Sequence, residues 1–202
     1  MSRRGDGVAI VTVAALALAA LGPAGASAAT ATFSKCTSTD IPVIDFQTQG
    51  LGAHFNLPKN AAKGQTGSVT AVSAAIQARH TRDTDLLFSL VSPSGQAIAL
   101  AANRGGAGDG YGTSPAGCGG GLVVFDDAAT TPIATPGNVG DNPLIGSFRP
   151  EQPFSTFLGS PAAGTWMLLM TDRLLNETGA ITAYRLTVTL TYKKAKKKSK
   201  KK

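Results

Sequence analysis

Leu86-Leu87-Phe88-Ser89-Leu90-Val91-Ser92-Pro93-Ser94-Gly95 decides the fold of this chain. Leu86, Phe88 and Leu90 fall on one side of an extended strand, because successive side chains alternate between its faces. The strand stops at Ser92-Pro93-Ser94-Gly95, where proline presets φ and glycine accepts a positive one, so Gln96–Ala101 can return antiparallel.

The same grammar recurs on both sides of this hairpin. Val72, Ala74, Ile76, Ala78 and His80 share one face of a strand, with Ser73, Gln77 and Arg79 on the other, which predicts one packed and one wet side. Gly164–Thr171 carries Trp166, the only tryptophan, in an apolar strand, and Tyr184, Leu186, Val188, Leu190 and Tyr192 share a face of a long final strand. Nothing keeps a helical period for three turns. Short apolar runs between Gly, Pro, Asn and Asp clusters predict an all-β sandwich or barrel with one core. The glycine-rich stretch from Asn103 to Gly121 predicts a long loop, functional or mobile.

Charge is distributed unevenly. The 202 residues carry a formal +7, yet eight lysines stand in the ten residues Lys193–Lys202. Residues 29–192 hold nine Lys or Arg against eleven Asp or Glu, a net of −2. The body is therefore a poor candidate for nucleic acid. The end reads as a solvated polycation that cannot fold alone and is suited to an anionic envelope polymer or lipid. At the other terminus, Arg3-Arg4, the apolar Val8–Leu21 and Ala26-Ser27-Ala28 have the order of a cleavable secretory signal over residues 1–28. The expected division is a signal over 1–28, one sandwich over 29–192 and a disordered tail over 193–202, with an extracellular destination. Export makes a disulfide between Cys36 and Cys118, the only cysteines, the leading reading; two separate thiols are the other.

His80-Thr81, Asp85-Leu86, Leu90–Gly95, Asp126-Asp127, Phe148-Arg149-Pro150-Glu151, Gly164-Thr165-Trp166, Thr171-Asp172 and Thr178-Gly179 together resemble the P domain of the proprotein convertases, the P/Homo B domain. Order and gaps agree over about residues 68–191. The resemblance implies a jelly-roll β-sandwich of the galactose-binding-like type, with eight or nearly eight antiparallel strands from about residue 31 to 192. Leu86, Phe88, Leu90, Trp166, Leu168, Leu186 and Val188 would lie between its sheets. It also implies a module that usually follows a subtilisin-like catalytic domain and stabilises it, with His80, Asp85, Ser92, Pro93, Gly95, Gly164, Trp166 and Asp172 as structural motif positions. Residues 29–67 are too few to hold a protease domain, so any endopeptidase label would belong to a neighbour.

Two chemistries remain to be weighed. Asp83, Asp109, Asp126 and Asp127 lie at loop ends, where hard carboxylate oxygens suit a structural Ca2+; the competing reading is that they cap turns by accepting backbone N–H bonds. His80, Asp85 and Ser92 or Ser94 can be written as a triad, but no Gly-x-Ser-x-Gly elbow marks either serine. The leading expectation is a secreted, non-catalytic binding, scaffolding or stability module. A protease accessory and a small secreted hydrolase are the alternatives.

Overall fold

The structure, a computed structural model, describes residues 11–12, 28–113, 115–135 and 143–195. Strands are β1 (Val11–Thr12), β2 (Ala28–Val43), β3 (Thr48–Phe55), β4 (Ser68–His80), β5 (Leu86–Val91), β6 (Ala97–Ala102), β7 (Val123–Phe125), β8 (Ser147–Phe148), β9 (Gly164–Asp172) and β10 (Gly179–Lys193). They form two sheets, one ordered β1-β2-β10-β4-β7-β8 and the other β3-β9-β5-β6. The described residues contain no α-helix; Asp83–Asp85 and Phe154–Phe157 are single 3-10 turns. The architecture is an all-β two-sheet sandwich.

The decisive hairpin forms as read. β5 and β6 pair antiparallel, with Leu90 opposite Ile98, and β9 lies along the other side of β5. Leu86, Phe88, Leu90, Trp166, Leu168, Leu186 and Val188 are all buried between the sheets. Each such side chain contributes about 1.5–3 kcal/mol by leaving water. Trp166 belongs to the core: its Nε1–H donates to Ala162 O at 3.1 Å and its ring meets Phe157 edge-on. One expectation of strand direction needs correction, since β7 and β8 run parallel.

β4 also departs from the one-side-wet reading. Gln77, on its outer face, is buried beneath the glycine-rich loop. The Gln77 side-chain carbonyl accepts from Gly117 N at 2.6 Å and from Thr182 Oγ1 at 2.9 Å, while its amide donates to Thr113 O and Pro115 O. All of its ordinary hydrogen-bonding capacity is used. The Cys36–Cys118 disulfide, with Cα atoms 6.1 Å apart, fastens the same loop to β2, and Cys118 N donates to Ser38 Oγ at 2.9 Å.

β10 is the spine. It pairs with β2 on one side and β4 on the other along nearly its whole length, and its 15 residues span roughly 45–50 Å. One end of the sandwich gathers Val43, His80 and Gly179; the other gathers Ala28, Ser68 and Lys193. The strand continues one residue past Tyr192. Ala62 N donates to Lys193 O and Ala195 N to Asn60 O, both at 2.8 Å, so the first three residues of the expected tail are part of the fold. Lys196–Lys202, and nearly all of the expected signal, lie outside the described residues.

Candidate functional site

The end bearing His80 is built from four loops tied together by main-chain bonds. Phe46 N donates to Asp172 O at 3.0 Å, Arg173 N to Asp85 O at 2.9 Å, Asp83 N to Gly108 O at 3.2 Å and Thr84 N to Gly106 O at 3.1 Å. Gly110 seats the glycine-rich loop on the end of β4. Its φ is +103°, and a Cβ there would stand 2.4 Å from Ala78 O, so only glycine permits this approach.

Inside this rim lie the buried side chains of His80, Asp83, Asp85 and Asp172. His80 Nε2 donates to Asp172 Oδ2 at 3.2 Å, and Nδ1 lies 3.2 Å from Arg82 N and 2.8 Å from Arg82 O. Asp172 Oδ1 accepts from Leu174 N at 3.1 Å, which starts the turn into β10. Asp83 Oδ1 accepts from Gly110 N at 2.8 Å. Among the described residues, the second oxygens of Asp83 and Asp85 have no hydrogen-bond partner. Burial pushes the Asp83 carboxyl up to about 7, against the opposing pull of the Gly110 N–H and His80, with Asp109 adding to the rise.

The other motif residues sit at the opposite end. Ser92 N donates to Gln96 O and Gly95 N to Ser92 O, closing the hairpin, and the Ser92 and Ser94 hydroxyls bond to each other at 2.9 Å. Gly164 faces Pro93: with φ +133°, its Cβ would lie 2.7 Å from Pro93 Cβ. The Ser-Pro-Ser-Gly and Gly-Thr-Trp segments are thus two halves of one contact. β5, six residues and roughly 20 Å long, separates Asp85 from Ser92. That distance dismantles the His80–Asp85–Ser92 triad, since a base must reach its nucleophile within hydrogen-bond distance.

The four aspartates expected around calcium are divided as well. Asp126 Oδ1 accepts from Ala128 N at 2.8 Å, and Asp127 accepts from Phe154 N and Ser155 N, both at 2.8 Å, where it caps the Phe154–Phe157 turn. Among the described residues no three His, Cys, Asp or Glu side chains converge as a metal-binding group. Asp83 is buried, whereas Asp109 is exposed on the glycine-rich loop and close enough to act on it electrostatically. Asp109 and Arg79 form a shared wall between two shallow clefts of about 270 and 300 Å3, and Arg79 pairs with Asp40 at 2.6 Å on the surface.

No protein-family profile matches the chain, and no curated protein does. Among solved structures, a serine protease of Aeromonas sobria is similar, with 16% identity and a TM-score of 0.48 over 80% of this chain and 27% of that one. The complex of the Aeromonas sobria serine protease with its chaperone gives 16% identity and a TM-score of 0.48, over 82% of this chain and 27% of that one. This chain spans about a quarter of the length of the proteins it matches.

The sequence places Gln77 on the wet face of β4 and gives no sign of the exposed apolar side chains Ile44, Phe46, Leu174 and Leu175 on two neighbouring turns. A lone glutamine in a strand gives no signal of burial, and apolar residues in separate turns give no signal that the turns meet. No helix of the described residues is long and apolar enough to cross a membrane.

Proposed function

We propose that the chain is a non-catalytic sandwich module of the P/Homo B type that serves a secreted subtilisin-like serine protease in trans, while its lysine-rich end holds an anionic envelope polymer or lipid. One observation carries the reading: the motif residues are spent on architecture. His80, Asp85 and Asp172 lie buried where they knit the rim loops, and Pro93, Gly95 and Gly164 close the opposite end, so none presents a reactive group to a substrate. The family resemblance supplies the protease partner and the jelly-roll topology, and the signal-like order of residues 1–28 supplies the extracellular location. Mixing the purified protein with secreted subtilisin-like proteases should raise the thermal midpoint or extend the autolytic half-life of the one it serves. Unchanged stability across the secreted proteases of the source cell would refute the accessory role.

Calcium is proposed only at Asp83 and Asp109, because Asp126 and Asp127 are committed to backbone amides. A chelator should then lower the melting temperature of wild type, and Asp83→Ala should abolish that shift while Asp127→Ala preserves it. An unchanged melt in chelator would leave Asp83 to a proton alone.

A further inference from the structure

Four of the largest exposed apolar side chains stand together at the acidic rim: Ile44, Phe46, Leu174 and Leu175, which are 46, 62, 51 and 59% exposed. They belong to two neighbouring turns, β2–β3 and β9–β10. Phe46 N donates to Asp172 O at 3.0 Å and Asn176 N to Asp45 Oδ2 at 3.1 Å, so the turns are fastened side by side. Phe46 has φ +56°, a conformation that bulky side chains rarely take. Strain of this kind persists only where the surrounding structure fixes it.

We infer that this rim is a docking surface for a second copy of the chain, joined end to end about a two-fold axis. Three observations select that occupant. First, the charges framing the patch carry both signs in equal number, exposed Arg82 and Arg173 against half-buried Asp45 and Glu177. A two-fold contact can set each sign against its opposite in the other copy, as an isologous interface requires. An anionic bilayer would gain nothing from such a frame.

Second, the cationic ends leave from the far end of β10, roughly 45–50 Å away. Rim-to-rim docking separates the two copies of Lys193, where the lysine runs begin, by roughly 90–100 Å, many times the Debye length of about 8 Å, so charges at those points do not oppose association. Third, the apolar tips expose roughly 400 Å2 per copy, since each offers about half of a large side chain. With the polar frame added, the contact reaches the low end of specific interfaces, about 1,200 Å2 in total, which fits a weak dimer. Such a dimer carries one lysine-rich end at each pole, and it would bridge two anionic surfaces.

Sedimentation of the purified protein from about 1 µM to about 500 µM, at physiological salt, tests this. A reversible monomer–dimer equilibrium is expected, with a dissociation constant on the order of 10–100 µM. Phe46→Asn with Leu175→Ser should weaken it at least about tenfold while leaving the melt unchanged, because Asn tolerates the positive φ and both sites are exposed. Leu158→Ser, an exposed apolar change away from the rim, should leave dimerisation intact. Wild type that stays monomeric throughout overturns the inference, as does a Leu158→Ser effect equal to that of the rim variant. Rim-dependent binding of monomeric protein to phosphatidylcholine vesicles also overturns it and assigns the tips to a membrane. None of these outcomes depends on a protease partner.

Discussion

The two ends of this sandwich solve the same problem, closing a β-sheet fold, with different chemistry. At the lysine-bearing end, Pro93 packs against Gly164 and the Ser92–Gly95 turn satisfies its own backbone. At the other end the closure is polar and buried, with three carboxylates and an imidazole among glycine-rich loops. The first is a close-packed plug; the second is held by hydrogen bonds and by whatever neutralises its carboxylates. Low-dielectric surroundings make the second strong when paired and costly where it is not.

The largest effect expected from that difference is at the glycines. Gly110→Ala drives a methyl into the backbone of β4, which cannot yield, and should cost about 4 kcal/mol or more. Gly164→Ala meets the side chain of Pro93 and should cost about 2–3 kcal/mol. Equal denaturation midpoints for the two variants would erase the distinction. Next, replacing both Cys36 and Cys118 by serine should cost about 3–4 kcal/mol, because the bond closes a separation of 82 residues. Hydrogen exchange should show the loss concentrated in the glycine-rich loop.

Acidity should act through one end only. The Asp83 carboxyl titrates at 3.8 when unfolded and about 7 when folded, so between those values folding takes up a proton. Stability from this group is complete below about pH 4, declines as the pH rises and is lost above about pH 7. Over that window the change is on the order of 4 kcal/mol. Asp83→Asn keeps an acceptor for Gly110 N and removes the proton. The variant should therefore be less stable than wild type near pH 4.5 and equal or better near pH 8. Parallel pH profiles for the two proteins would remove Asp83 as the sensor.

Smaller still is Tyr184→Phe. The buried Tyr184 hydroxyl has no hydrogen-bond partner among the described residues, and its removal should be neutral or stabilising by about 1 kcal/mol. Truncation after Ala195 should not move the melt at all. It should, however, abolish salt-sensitive binding to anionic vesicles, and binding that survives truncation at high salt would transfer the affinity to the sandwich.

Legibility in the sequence followed the same divide. The apolar alternation of Leu86–Val91 and of Tyr184–Tyr192 announced strands, because burial on one face leaves a period of two in the residues themselves. The Ser-Pro-Ser-Gly turn was equally readable, since its conformation is set by the residues it contains. The rim was not. Asp83, Asp126 and Asp127 look alike in a sequence, yet one is sealed under Gly105 and Gly110 while the others cap turns, a difference made by distant loops. Gln77 reads as a wet-face residue for the same reason: what covers it comes from Thr113, Pro115 and Gly117.

The spine strand has a mechanical consequence. Because Ala28 lies opposite Lys193, tension applied between the two ends of the folded chain would peel β10 from β2 one rung at a time. Tension between the lysine-bearing end and the opposite rim instead loads β10 lengthwise, against rows of hydrogen bonds to β2 and β4 that must give way together. The same sheet should therefore unzip at low force in one direction and resist shear in the other, a direction set by where the molecule is tethered.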